Sequence, residues 1–224
     1  MSSPEVVALM LADGRLPTGG HTQSAGLEPA VRAGLGADGK HLADVADYAR
    51  DRLRTVTRVE AATAVLARHQ TTTSQPLTPV EEAWAARTPS QVLRGVSRRQ
   101  GRAYLRLAAR VWPDVLRYLE PDSEVARPVV VGVIGGVTGL SADQVARLIA
   151  YDDVQTVVAA SLKLLPVDPS DAASWLAGLH DDIERLVTDV APLTGIDKMP
   201  ADGAPLLDVF AQNHANERMR LFHA

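Results

Sequence analysis

The chain has 224 residues, 46% hydrophobic and only 4% aromatic, with 23 Lys and Arg against 27 Asp and Glu for a formal net charge of −4. That length supports a full core in one domain, and scarce aromatics beside abundant Ala, Leu, Val and Arg favour helices over sheets. The lack of cysteine excludes disulfides, thiolate catalysis and thiolate metal sites, and so mild a charge gives by itself no argument for nucleic acid or membrane.

Starting at Met1, the sequence lacks the basic start, apolar core and small-residue cleavage site of a signal peptide, so the expected compartment is cytoplasmic and reducing. The first strong element signal is the apolar spacing Leu42, Val45, Ala49, Leu53, Val56, Thr63 and Leu66, with Asp47, Arg50, Asp51, Arg54 and Arg58 turned largely away. It predicts one long amphipathic helix. Thr71 to Gln75 reads as a mobile loop. Thr78-Pro79-Val80-Glu81 and Thr88-Pro89-Ser90-Gln91 each place a hydroxyl at the N-cap, proline at the first helical position and an acid or amide at the third, predicting two helix starts.

After Pro89, arginines recur every four residues at Arg94, Arg98, Arg102, Arg106 and Arg110, and Arg87 to Arg117 holds eight arginines against one acid, Asp114. This basic stripe is either a docking face for an acidic partner or a solvated helix face. The apolar run Val129 to Leu140 contains Gly132, Gly135, Gly136 and Gly139, whose spacing puts them on one face of a buried helix; a strand is the alternative. At roughly a dozen residues, it is too short to span a bilayer. Ser141-Ala142-Asp143-Gln144 forms a capping box with Leu140 and Val145 as its hydrophobic staple, and the helix it opens stops at Pro166. Asp168-Pro169 opens another helix, and Thr194 to Ala204 reads as a second mobile loop. The expected fold is all-α, a single-domain multi-helix bundle without internal repeats.

Chemical templates mostly fail. Ser24, in Thr22-Gln23-Ser24-Ala25-Gly26, has Thr where a nucleophile elbow needs its first glycine, and no strand precedes it. Neither glycine cluster ends in the Gly-Lys-Ser/Thr of a phosphate loop. The histidines His21, His41, His69, His180, His214 and His223 include no i, i+4 pair, and His180-Asp181-Asp182 reads as a solvated helix end; a transient metal contact at His21 stays open. The chain is therefore read as no enzyme, with no catalytic, cofactor or metal residues. A helical nucleic-acid binder using the Arg94 to Arg110 stripe is the alternative, with Tyr104 and Trp112 nearby.

The order Leu16-Pro17-Thr18-Gly19-Gly20-His21-Thr22-Gln23-Ser24-Ala25-Gly26-Leu27-Glu28, preceded by a short apolar segment and Asp13, resembles the N-terminal signature of the urease accessory protein family UreF. Ser97-Arg98-Arg99-Gln100-Gly101-Arg102 resembles that family's central motif. Pro205-Leu206-Leu207-Asp208, followed by His214, Glu217, Arg218, Arg220, Leu221 and Phe222, resembles its C-terminal tail. Val131-Gly132 and Leu162-Lys163-Leu164-Leu165-Pro166 fit the middle of the pattern, so the likeness runs along the whole chain in order. It departs at His21, where an aromatic is usual, at Gln23 for His or Tyr, at Lys163 for Arg and at Ala224 for Ser.

The resemblance implies a dimeric helical scaffold that bridges the accessory protein UreD (also called UreH) and the GTPase UreG, coupling GTP hydrolysis to nickel insertion into apo-urease. It implies no GTP site and no permanent metal site in this chain. One domain, residues 1–224, would carry a docking loop at 16–28 and a tail at 205–224. The residues expected to meet partners are Pro17, Gly19, Gly20, His21, Ser24, Gly26 and Glu28 in the loop; Arg98, Gln100, Gly101 and Arg102 in the centre; and Lys163, Arg218, Arg220, Leu221 and Phe222.

Overall fold

A computed structural model describes residues 3–217 and 219–222. Its helices are α1 (Pro4–Leu11), α2 (Leu27–Arg32), α3 (Asp44–Arg54), α4 (Val56–Thr72), α5 (Thr78–Ala86), α6 (Gln91–Val111), α7 (Arg127–Thr138), α8 (Ala142–Leu164), α9 (Pro169–Gly178), α10 (His180–Val190) and α11 (Pro205–Ala215). Among the described residues there is no strand, so the all-α expectation holds, and no helix is long and apolar enough to cross a membrane.

The fold is organised around α4, buried almost continuously from Val59 to Ala67. Its alanines Ala61, Ala62, Ala64 and Ala67 are small enough for α7 to lie close on one side and α8 on the other, while α6 covers α7 and α3 and α10 close over α8. Val129 to Leu140 is mostly the helix α7 and its C-terminal turn, which excludes the strand. Its glycines divide by role. A Cβ on Gly132 would fall 2.3 Å from the Ala64 carbonyl oxygen, and one on Gly136 2.6 Å from a Thr71 methyl, so these two, one turn apart, set the approach to α4. Gly135 instead faces Val145, and Gly139 ends the helix at φ +78°, a conformation that a Cβ resists.

Both halves of the Ser141 and Gln144 capping box form, at 2.8 and 3.1 Å, with Leu140 and Val145 fully buried beside them. Asp168 caps α9 by accepting the Ser170 N–H at 2.7 Å. Other boundaries differ from expectation. The long helix over 42–66 is two helices, broken at Thr55 (φ −124°, ψ −103°), whose hydroxyl donates to the Asp51 carbonyl at 2.7 Å and so competes with the helical ladder. The cap of α5 is Leu77 and Thr78 lies inside the helix. The α6 cap is Ser90, whose Oγ accepts the Leu93 N–H at 3.3 Å, while the carbonyls of Thr88 and Pro89 accept from Arg94.

The two expected mobile loops are also pinned. Residues 71–72 complete α4, and the Thr72 and Thr73 hydroxyls donate back to the His69 carbonyl. Residues 194–204 contain a short helical turn, Ile196–Lys198, beside buried Met199. Their carbonyls at Met199 and Pro200 accept from Arg87, and Asp202 pairs with Arg58 at 2.7 Å.

Candidate functional site

The loop after α1 is built by backbone that only certain residues adopt easily. Gly19 (φ +79°) and Gly26 (φ +77°) take the left-handed conformation, and the Thr22 hydroxyl donates to the Gly19 carbonyl at 2.7 Å to close the turn between them. Ser24 is buried and accepts the Glu28 N–H at 3.3 Å, supporting the start of α2. The Tyr48 hydroxyl donates to the Ala25 carbonyl at 2.8 Å, and a Cβ on Gly26 would strike that hydroxyl. Burial raises the Tyr48 phenol to about 12, so it stays a donor.

Glu28 is only 2% exposed, and its carboxylate receives the C-terminal segment. Leu221 N–H donates to one oxygen and Phe222 N–H to the other, each at 2.8 Å, and Arg32, one turn on, donates to Glu28 at 2.7 Å. Arg32 also holds Glu217 and the Met219 carbonyl. Fully buried His214 places Nε2 3.1 Å from Glu28 Oε2, off the line of a hydrogen bond, and its ring nitrogens have no hydrogen-bond partner among the described residues. Burial works against the Glu28 carboxylate, but the two tail N–H groups, His214 and Arg32 outweigh it and hold its pKa below the usual glutamate range. Phe222 is buried with the Lys163 ammonium 5.1 Å from its ring centroid.

The loop and the tail, read from the sequence as two docking surfaces, therefore grip each other. Glu28, Ser24 and Phe222 face inward and serve that clasp. The exposed members are Pro17, His21, Arg220, Leu221 and Lys163, with Gly19 and Gly20 half-buried. Arg218 and Ala224 lie outside the described residues.

The central motif also turns inward in part. Arg98 pairs with Glu81 at 3.0 Å and lies 5.8 Å from the centroid of the Trp84 ring, while the other Glu81 oxygen accepts the Ala126 N–H at 3.0 Å. Glu81 thereby joins α5, Arg98 of α6 and the start of α7. Gly101 is a packing residue, since a Cβ there would lie 2.0 Å from the Val125 carbonyl oxygen. Arg102 pairs with Glu124, and Gln100 lines a cleft of about 120 Å³ beside Gly26, Ser97 and Arg127.

Beneath that cleft runs a buried ionic network absent from the sequence reading. Arg127 pairs with Asp152 at 2.5 Å and Glu60 at 2.8 Å; Arg52 pairs with Asp153 at 2.5 Å, and the Thr57 hydroxyl donates to Asp153 at 2.7 Å. Burial penalises both aspartates. For Asp153 the Arg52 guanidinium and Thr57 more than offset it, holding the pKa low, whereas Asp152 remains raised despite Arg127. The adjacent Asp152-Asp153 inside the apolar repeat of α8 and the i, i+4 pair Glu28 and Arg32 are sequence signals that mark these residues. Among the described residues no group of three His, Asp or Glu side chains is placed to hold a metal ion.

Fold and site together define an all-helical protein whose motif residues close its own C-terminal segment against an N-terminal loop, over a cleft lined by paired charges. The UreF family profile matches residues 40–180, more than half of the chain. The urease accessory protein UreF of Mycolicibacterium vanbaalenii is 37% identical over 218 residues, covering 96% of each chain. Those of Mycobacterium marinum and Mycobacterium tuberculosis H37Ra are 33% and 34% identical, covering 96% of this chain and 96% and 95% of theirs. The chain belongs to the UreF family of urease accessory proteins.

Proposed function

We propose that the chain is a urease maturation factor: a cytoplasmic, non-catalytic, homodimeric scaffold that bridges UreD (UreH) and the GTPase UreG and couples GTP hydrolysis to nickel insertion into apo-urease. Nickel is cargo in this reading, passed to urease without a resident site here. Coupling requires that the scaffold bind the GTPase with unequal affinity in its two nucleotide states.

The observation that carries the docking part is the clasped tail. Its backbone is fixed by Glu28 and Arg32, yet Leu221 is 61% and Met219 83% exposed. Leu162, 42% exposed, lies beside Lys163 in sequence, and Lys163 stacks on Phe222. Apolar side chains presented on an ordered backbone suit a protein partner, because the ordering cost is already met before binding. Pro17, Gly19, Gly20, His21, Arg220, Leu221 and Lys163 are the residues assigned to contact; Glu28, Ser24, Gly26 and Phe222 hold them in place.

Co-expression with UreD and UreG, followed by light scattering and a nickel-dependent urease assay, tests the reading. A stable complex and nickel-dependent activation are expected. Failure to form any complex would contradict it.

A further inference from the structure

The arginines of α6 separate into two sets. Arg98 and Arg102 are neutralised by Glu81 and Glu124, and Arg94 is held by backbone carbonyls. Arg99, Arg106 and Arg110 have no ion pair or hydrogen bond among the described residues, and all three are exposed. Arg99 folds back over Gly95, where a Cβ would sit 3.4 Å from its guanidinium. Beside it lies a groove of about 350 Å³ lined by Arg94, Arg98, Arg99, Arg102 and Glu124. Of the four cations there, Arg98 is paired with Glu81 and Arg102 with Glu124, whose side chain is 70% exposed, and Arg99 is left without an ion pair among the described residues.

We infer that this groove and the Arg106 and Arg110 surface running on from it dock an acidic segment of a partner protein, with Glu124 occupying the position of one ligand carboxylate. Guanidiniums four residues apart on α6 are spaced about 6 Å along the axis, the repeat of carboxylates one turn apart on an acidic helix. Arginine's planar fork suits carboxylates. Glu124 demonstrates the fit with a side chain of this protein. A nucleic-acid strand has the same charge but gains its sequence-tolerant affinity from base stacking, and the aromatic residue within α6, Tyr104, is 6% exposed and faces the core. Trp112, at the C-cap of α6, is half-buried against the core, so it is the carboxylate fit shown by Glu124 that favours an acidic protein segment over the nucleic-acid alternative. The inference concerns the charge on α6 and does not depend on the maturation role.

The test uses the full chain and a fluorescein-labelled oligoglutamate of about twelve residues, about 18 Å long as a helix, read by fluorescence anisotropy. Saturable binding that weakens as salt rises is expected. Arg99→Glu with Arg106→Glu should lower affinity about tenfold or more. Both side chains lack internal partners, so neither change disturbs the fold. Arg106→Glu alone should lower affinity about fivefold, whereas Arg54→Glu, the same change of charge on exposed α3 surface, should alter it by less than about twofold. Glu124→Gln should tighten binding by freeing Arg102. Equal losses from Arg106→Glu and Arg54→Glu would overturn the proposal, as would weaker binding by Glu124→Gln. Tighter, Arg99-dependent binding of a labelled oligothymidylate would overturn it in favour of nucleic acid.

Discussion

The carboxylate of Glu28 accepts the backbone N–H of Phe222 at 2.8 Å, joining positions 194 residues apart in the sequence. A single buried acid thereby closes the tail onto the second helix. Replacing it by alanine leaves the Leu221 and Phe222 N–H groups without their acceptor, while Arg32 keeps only Glu217 and the Met219 carbonyl. Glu28→Ala should destabilise the protein by about 1–3 kcal/mol and free the tail. Limited trypsin digestion checks this: cleavage at Arg220 should accelerate while far-ultraviolet circular dichroism stays unchanged. An unaltered digestion rate would show that the clasp does not hold the tail.

Acid should open the same clasp. The folded-state pKa of Glu28 is depressed, so its contribution is fully present above the ordinary glutamate value and is lost as pH falls through the lower folded value. Thermal melts from neutral to acid pH should show stability falling over that range. In Glu28→Gln the fall should be shallower, because the variant has no carboxylate to titrate there. Identical pH profiles for the two proteins would show that Glu28 does not set the acid sensitivity.

The buried pair under the cleft should be costly to break. Asp153→Asn leaves Arg52 buried without its ion-pair partner, which should cost about 3–5 kcal/mol in urea unfolding. The side chains are 9% and 14% exposed, so solvent screens the pair little. A loss under about 1 kcal/mol, typical of an exposed ion pair, would contradict this burial argument.

Gly101 separates a folding role from a docking role. Gly101→Ala forces a Cβ to within 2.0 Å of the Val125 carbonyl oxygen, and the backbone must shift. A loss of about 1–3 kcal/mol is expected, visible as a lower Tm of the isolated chain. Gly178→Ala, where nothing lies within 4 Å of the added Cβ, should instead be neutral or gain up to about 1 kcal/mol from helix propensity. Equal Tm values for wild type and Gly101→Ala would return Gly101 to the surface.

These contrasts mark how far the sequence alone reaches. Hydroxyl, proline and acid signals placed the starts of α5, α6, α8 and α9 to within a few residues, since capping is local chemistry. Thr88 and Ser90 are both hydroxyl residues beside Pro89, and it is the Ser90 Oγ that reaches a first-turn N–H, that of Leu93. The break at Thr55 was invisible to periodicity, because the apolar stripe continues on both sides of the bend. Family resemblance picked out Glu28, Lys163 and Phe222. That they meet each other is tertiary information, carried by backbone N–H groups that no side-chain pattern records. Arg127 with Asp152, on neighbouring helices, and Arg52 with Asp153, 101 residues apart, likewise pair through tertiary packing.

The proposed docking role has the clasp present the tail to a partner. Leu221 is exposed while its backbone N–H is fixed to Glu28, so Leu221→Asp changes the presented surface without removing a buried side chain. The most direct measurement is light scattering of the Leu221→Asp chain mixed with UreD. The complex should be lost while the Tm of the isolated chain is unchanged; a complex of wild-type mass and affinity would rule out this docking role for the tail.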